Sequence, residues 1–160
     1  MPIGRFLGGV AGLIYDDKTQ RYLLLRRASM RDFKAGHWEC VTGRVDQGES
    51  FEEALHREVM EEINAKVQIE FIIATSHFYR GDQTPQNELL SIIYGCRISD
   101  PSTVRLDSEH SEMRWISADE ALNFLPKEHW LREVIVRAEL LRKYLPEELR
   151  NDFLRRGFEI

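Results

Sequence analysis

The chain has 160 residues, which is enough for one domain with a sizeable core, and we expect residues 1–160 to form a single domain. Its composition, 42% hydrophobic and 31% charged, is that of a folded protein and excludes a disordered chain. The formal net charge of -5 implies no general affinity for a nucleic acid polymer, so an anionic ligand would need local arginines or a metal ion.

The first strands are expected near the N-terminus. Residues 6–15 are apolar and contain three glycines, which indicate a strand whose backbone either approaches another group closely or is tightly packed. A polar turn over 16–20 separates it from a second strand over 21–27, which ends in Arg26 and Arg27. Residues 28–36 form a predicted loop, and 37–41 a short strand in which Trp38 belongs to the core or to a pocket wall. A metal role for His37 is not expected, because no second histidine lies at ligand spacing.

A helix is predicted from about Phe51, because Ser50 is a good N-cap and Glu53 completes a capping box. Asn64 tolerates the left-handed conformation that ends many helices. Four apolar residues repeat at every fourth position and form one stripe: Phe51, Leu55, Val59 and Ile63.

Three glutamates lie in the C-terminal half of this helix. At about 100° per residue, Glu58 and Glu62 project roughly 40° apart beside the apolar stripe, and Glu61 lies further round. Like charges one turn apart weaken a helix, and acids near its C-terminus oppose the macrodipole. A divalent cation would remove both objections, because Mg²⁺ takes hard oxygen ligands. The alternative interpretation is a solvated acidic face.

The second half of the chain continues with strands and then helices. Strands are expected over 66–79, as one or two elements, over 89–98 in a buried central position, and over 113–116, with polar loops at 80–87 and 100–111. Ser117 and Glu120 form a second capping box, a long helix is expected over 128–144, and Pro146 starts a last helical segment. Strands on both sides of one helix, followed by more helices, predict a mixed sheet covered on both faces.

A glycine-bearing loop that begins at Thr42 is predicted to lead into the glutamate helix. This loop and the helix resemble the Nudix box, G-x5-E-x7-R-E-U-x-E-E-x-G-U, in which U is aliphatic. The matching positions are Gly43, Glu49, Arg57, Glu58, Val59, Glu61 and Glu62. Asn64 replaces the last glycine, a mild departure because asparagine adopts the same cap conformation, and Ala65 is a small final aliphatic. The resemblance implies an α/β/α sandwich with a mixed β-sheet. It does not cover the C-terminal helical extension, about residues 128–160.

The resemblance also implies a set of site residues. Glu58, Glu61 and Glu62 would hold Mg²⁺, or Mn²⁺, with a backbone carbonyl of Thr42 or Gly43 supplying another oxygen. Arg57 would pair with Glu49 and hold Glu58 in position. It could equally be a routine partner of Glu53 or Glu61, and both can be true.

Two further groups are expected at the site on the same resemblance. A late-loop acid would act as general base or metal ligand; Glu109 is preferred and Glu112 second, with Glu88 also considered and a solvated side chain as the alternative. An arginine at the end of the second strand, Arg26 or Arg27, would meet substrate phosphates.

The implied activity is metal-dependent hydrolysis of a diphosphate bond in a nucleoside diphosphate linked to another moiety, foremost a nucleoside triphosphate. The alternatives are a non-catalytic nucleotide sensor and an enzyme like isopentenyl diphosphate isomerase, which would need a pocket cysteine such as Cys40.

The cysteines, Cys40 and Cys96, lie in apolar runs and fit no zinc or disulfide pattern, so both are expected to be buried, reduced thiols. The N-terminal stretch is neither a secretory signal nor a membrane span, which predicts a cytoplasmic protein without a membrane partner; a homodimer is left open.

Overall fold

The computed structural model describes residues 5–29 and 34–160, so residues 30–33 of the predicted loop lie outside the described part. The strands are β1 (Leu7–Asp16), β2 (Arg21–Arg27), β3 (Trp38–Glu39), β4 (Val41–Arg44), β5 (Val67–Tyr79), β6 (Glu88–Ile98) and β7 (His110–Ile116). The helices are α1 (Phe51–Ile63), α2 (Ala118–Phe124), α3 (Trp130–Tyr144) and α4 (Glu147–Arg156), with a short 3₁₀ turn at Pro101–Thr103.

All seven strands belong to one mixed sheet. Its main order is β3-β2-β1-β6-β5, with β4 also paired to β1 and β7 to β2. The pairing of β1 with β6 is parallel and the other pairings are antiparallel. The buried strand β6 therefore lies in the interior of the sheet, as predicted.

Helices cover both faces of the sheet. On one face, α1 packs its apolar stripe against side chains such as Val10 and Ile14 of β1. On the other face, α3 packs Leu131 and Ile135 against side chains that include Leu13. Because successive strand residues point to opposite faces, β1 serves both layers, and the predicted α/β/α sandwich is confirmed.

One β1 glycine is explained by packing against α1. A Cβ added at Gly12 would lie 2.9 Å from Cδ1 of Leu55, so the helix rests directly on the strand backbone. The apolar stripe of α1 can approach the sheet only where that side chain is missing. At this position the structure therefore supports the expectation of tight packing.

The limits of α1 are those that its local signals predict. The Ser50 hydroxyl accepts a hydrogen bond from the Glu53 amide (3.2 Å), and the Glu53 carboxylate accepts one from the Ser50 amide (2.9 Å). Asn64 closes the helix in the left-handed region, with φ of 50°. The position of each side chain along α1 is therefore fixed from both ends.

The strand before α1 differs from the prediction. Thr42 and Gly43, expected at the start of a loop, lie in β4, where they pair with Ala11 and Val10 of β1. The predicted strand over 37–41 is also divided, because β3 pairs with β2 whereas β4 pairs with β1. Long-range pairing with β1 determines this conformation, and only residues 45–50 remain as the connection to α1.

Helix α3 is joined to the sheet by a buried ion pair. Arg142 donates to the carboxylate of Glu70, a residue that is completely buried, and stacks over the ring of Tyr15 at 3.8 Å. Arg97 of β6 approaches the same carboxylate, with its Nε 3.5 Å from Oε1 of Glu70, so Glu70 links α3 to the sheet within a shared charge cluster.

Both cysteines are buried and free, as predicted. None of the described helices combines the length and the hydropathy needed to span a bilayer.

Candidate active site

A cavity of about 1150 Å³ opens between α1, β4, the ends of β5 and β6, and the loops before β7 and α3. Most of the predicted site residues line it: Arg27, Trp38, Thr42, Gly43, Arg57, Glu58, Glu61, Glu62 and Glu109. Folding thus brings the glutamates of α1 together with side chains that are distant in sequence.

Arg57 connects α1 to the chain segment that precedes it. Its Nε and Nη2 atoms donate to the two carboxylate oxygens of Glu49, both at 2.9 Å, and Nη2 also donates to the backbone carbonyl of Arg44 at 2.8 Å. Its Nη1 atom donates to Glu58 at 2.7 Å and, at a longer 3.3 Å, to Glu61. The pairing of Arg57 with Glu49 is therefore present, alongside the i, i+4 contact that was the simpler alternative.

The charges in this cluster stabilise one another. Hydrogen bonds from Arg57 and from the Asp46 amide lower the pKa of Glu49. The carboxylates of Glu49 and Glu58 in turn raise the pKa of Arg57. The guanidinium and its acids therefore form one charged unit at neutral pH.

Gly43 provides the space that Glu58 occupies. A Cβ at this position would lie 1.9 Å from Cδ of Glu58 and 2.1 Å from Oε1, distances that no side chain can tolerate. Any larger residue would displace the Glu58 carboxylate from its place between β4 and Arg57. The glycine is needed here for close approach rather than for an unusual backbone angle.

Glu62 is the most buried acid of α1, with 5% of its surface exposed. It accepts a long hydrogen bond from the Thr42 amide at 3.4 Å. Burial raises its pKa well above the usual range, and the negative charges of Glu39 and Glu58 raise it further. Burial also raises the pKa of Glu58, although Arg57 opposes that shift. Without a counter-ion, this end of the cavity has an excess of negative charge.

A buried network behind Glu62 was not identified from the sequence. His110 lies between two acids, with Nε2 3.1 Å from Glu39 and Nδ1 2.9 Å from Asp107. Burial lowers the pKa of His110, but Glu39 and Asp107 more than offset this effect and the pKa is raised overall. The detectable signal was Glu39 itself, an acid within the otherwise apolar segment Trp-Glu-Cys-Val.

The structure shows which of the two candidate arginines faces the cavity. Arg27 lines the cavity and donates to Glu39 at 2.9 and 3.1 Å. Arg26 projects to the opposite face of β2, where it contacts Glu112 (3.4 Å) and the carbonyl of Gly36 (3.3 Å). Because strand neighbours alternate in direction, only one of the two could face the site, and the structure does not bring Arg26 to it.

The three candidate acids of the later loops also differ in whether they line the cavity. Glu109 lines the cavity, whereas Glu112, on the other side of β7, is held by Arg26 and by Arg114 at 2.8 Å. Glu88 is not at the cavity wall and contacts His77 at 2.9 Å. Of the predicted late-loop acids, Glu109 is the one positioned to meet a bound molecule.

The chemistry of this acid cluster suits a divalent cation. Glu58, Glu61 and Glu62 offer oxygen ligands of the kind that Mg²⁺ prefers. Burial is the main cause that raises the pKa values of Glu58 and Glu62, so a bound cation would favour their ionised forms. Within residues 5–29 and 34–160, no group of three or more potential ligands already converges on a single point.

A helix-covered mixed sheet, with an arginine linking the glutamate helix to the preceding glutamate, is the arrangement of the Nudix class. The family model for the NUDIX domain matches residues 5–138. The chain therefore belongs to the Nudix family and is a Nudix hydrolase.

Individual relatives agree with this assignment. The nucleoside triphosphatase NudI of Enterobacter sp. (strain 638) is 30% identical over 111 residues, covering 65% of this chain and 77% of that protein. The MutT protein from Methanosarcina mazei Go1 superimposes with a TM-score of 0.70 at 26% identity, covering 89% of this chain and 99% of the other. A Myxococcus xanthus protein named octanoyltransferase is 32% identical over 118 residues, or 74% of this chain, but the match spans only 32% of that longer protein.

The charge excess at Glu62 leads to a stability prediction for the metal-free protein. Because the folded-state pKa of Glu62 is raised, its contribution to stability is present below the unfolded-state pKa of about 4.3 and is lost as the pH rises. In chelator, Glu62→Gln should melt at the same or a higher temperature than the unmodified protein, with an advantage that grows from about pH 5 to about pH 8.

Melting curves over this pH range provide the measurement. Glu61→Gln removes an exposed acid from the same helix and is the matched control, for which we expect little pH-dependent difference. A Glu62→Gln protein that melts lower at every pH would contradict the charge excess.

Proposed function

We propose that this chain is a metal-dependent pyrophosphohydrolase that cleaves a diphosphate bond in a nucleotide, foremost a nucleoside triphosphate. The observation that carries the proposal is the placement of the Glu58 carboxylate, held over Gly43 by Arg57 at the wall of a large cavity. The NudI relative is named as a nucleoside triphosphatase, which supports the same substrate class.

The reaction requires an attack on a negatively charged phosphate and neutralisation of the leaving oxygen. Glu58, Glu61 and Glu62, with a carbonyl of Thr42 or Gly43, would hold a divalent ion, and that ion would supply the positive charge that the reaction needs. The α1 carboxylates must also keep a fixed orientation while the substrate reacts. Arg57 provides this by fixing Glu58 against the end of β4.

Other side chains of the cavity bind the substrate and move the proton. The Arg27 guanidinium, oriented by Glu39, is placed to bind phosphate oxygens. Glu109 is the acid at the cavity wall that accepts the proton of the attacking water. Trp38 offers a ring for contact with the nucleoside and is itself held by Phe124, with ring centroids 5.2 Å apart.

The alternative functions fit the site less well. An isomerase of the isopentenyl diphosphate type would need a reactive cysteine in the pocket, but Cys40 is fully buried, and burial raises the pKa of its thiol. A non-catalytic sensor would have no need for the intact acids at positions 58, 61 and 62 together with their arginine link. Both observations favour hydrolysis.

Turnover measured on a panel of nucleotides, by release of phosphate or pyrophosphate, tests the proposal. We expect hydrolysis of at least one nucleoside triphosphate, its loss in EDTA, and its recovery with Mg²⁺ or Mn²⁺, because the clustered carboxylates need a counter-ion. Full activity in chelator would reject the metal mechanism. Nucleotide binding without turnover under any metal would instead indicate a sensor.

Arg57 and Glu49 should act as one unit. We expect Arg57→Lys to lower turnover by about 10- to 100-fold although the charge is retained, because lysine lacks the planar fork that contacts three carboxylates and a carbonyl at once. Glu49→Gln should then cause little further loss in the Arg57→Lys background.

A double-mutant cycle on turnover measures this coupling. Arg137→Lys changes an exposed arginine that contacts Glu133 on α3, and it is the matched control that should leave turnover unchanged. Strictly additive losses at positions 49 and 57 would show that the two residues do not cooperate.

A further inference from the structure

Residues 157–160 form a tail that contacts the start of α1. The two carboxylate oxygens of Glu159 accept hydrogen bonds from the backbone amides of Phe51 (3.1 Å) and Glu52 (3.0 Å). The sequence separation is 107 residues for the second of these bonds, so folding rather than proximity along the chain creates the contact. Together with Ser50, which covers the amide of Glu53, the tail satisfies the first amides of the helix.

The contact is reciprocal. The carboxylate of Glu52 accepts hydrogen bonds from the backbone amides of Phe158 and of Glu159, the latter at 3.0 Å. Gly157 precedes them with φ of 78°, and a Cβ there would lie 2.9 Å from Oε2 of Glu52. A glycine is thus required both for the turn and for the close approach. Each carboxylate binds the backbone of the other segment, which fixes their relative position in more than one direction.

An aromatic anchor holds the tail in place. The ring of Phe158 packs against the core cluster beneath α1, with centroid distances of 5.9 Å to Tyr94 and 4.6 Å to Phe153 of α4. Tyr94 is a fully buried residue of β6. The tail is therefore part of the packed structure on the α1 face.

Electrostatics favour an ionised Glu159. Burial alone would raise its pKa, but the amide donors of Glu52 and Phe51 more than offset this effect, and the pKa is lowered overall. A carboxylate at a helix N-terminus also interacts favourably with the helix dipole.

The tail and Arg57 act on the same junction. Glu49, which Arg57 holds, lies immediately before the N-cap Ser50, and the amides held by Glu159 lie immediately after it. Movement at this junction would change how Arg57 meets Glu49, and with it the placement of Glu58 over Gly43. The tail lies outside the residues 5–138 that match the family model.

We propose that Glu159 is a positioning residue for the hydrolytic site, fixing the start of α1 and thereby the orientation of Arg57 and Glu58. The inference rests on the proposed function for its effect on turnover. Its structural part, the coupling from Glu159 to Arg57, can be measured without any substrate.

The test compares Glu159→Gln with a chain that stops after Arg156. Glu148→Gln, an exposed acid of α4, is the matched control of equal charge change. Well below the melting temperature of each variant, we expect kcat to fall about 10-fold or more in both tail variants, with KM nearly unchanged, because the tail orients catalytic groups without touching the substrate. Glu148→Gln should leave both constants unchanged.

A second readout is the Arg57 Nε–H signal in ¹⁵N NMR spectra of the metal-free protein. We expect Glu159→Gln to shift it together with the amides of Phe51 and Glu52, and Glu148→Gln to leave it in place. If the unmodified protein hydrolyses none of the panel, the proposed function fails and this signal alone decides the coupling. An unchanged kcat in an active enzyme, or an unchanged Arg57 signal, overturns the inference; if the shortened chain does not fold, Glu159→Gln still decides.

Discussion

The guanidinium of Arg57 links the end of β4, the segment that follows it, and helix α1. It contacts the end of β4 through the Arg44 carbonyl, the connecting segment through Glu49, and its own helix through Glu58 and Glu61. A planar group with several fixed donors can satisfy all of these acceptors at once, which a lysine could not. The sandwich supplies the frame for this contact: Gly12 lets α1 rest on β1, and Gly43 leaves room for Glu58.

The same region is held together at a cost in electrostatic repulsion. Glu62 is buried near Glu39 and Glu58, and its raised pKa shows that its ionised form is unfavourable there. Stability alone would not select such a cluster, whereas a cation-binding site would, because a bound ion would supply the missing positive charge. The capping box, Asn64 and the C-terminal tail offset the strain by fixing α1 at both ends.

Helix α1 and its acids could be predicted because the signals that define them are local. Features that depend on long-range contacts could not be predicted from the sequence. Ser50, Glu53 and Asn64 act within a few residues, so the sequence marks both helix ends. The extension of β4 through Gly43 depends on pairing with β1, and the His110 network is assembled from β3, the loop before β7 and β7 itself. The sequence offered no reason to prefer Arg27 over Arg26. The alternation of side chains along β2 shows that Arg27 is the one that faces the cavity. The contacts of Glu159 with α1 join residues that are 108 and 107 positions apart in the chain, so no local pattern predicts them.

The most direct test of the central claim is a crystal structure with Mn²⁺ and a non-hydrolysable nucleoside triphosphate, in which anomalous scattering locates the ion. We expect Mn²⁺ bound by Glu58 and Glu62, with the bonds from Arg57 to Glu49 and to the Arg44 carbonyl retained and the phosphates in the cavity that Arg27 lines. Mn²⁺ bound elsewhere, with the glutamates of α1 solvated and Arg57 released from Glu49, would contradict it.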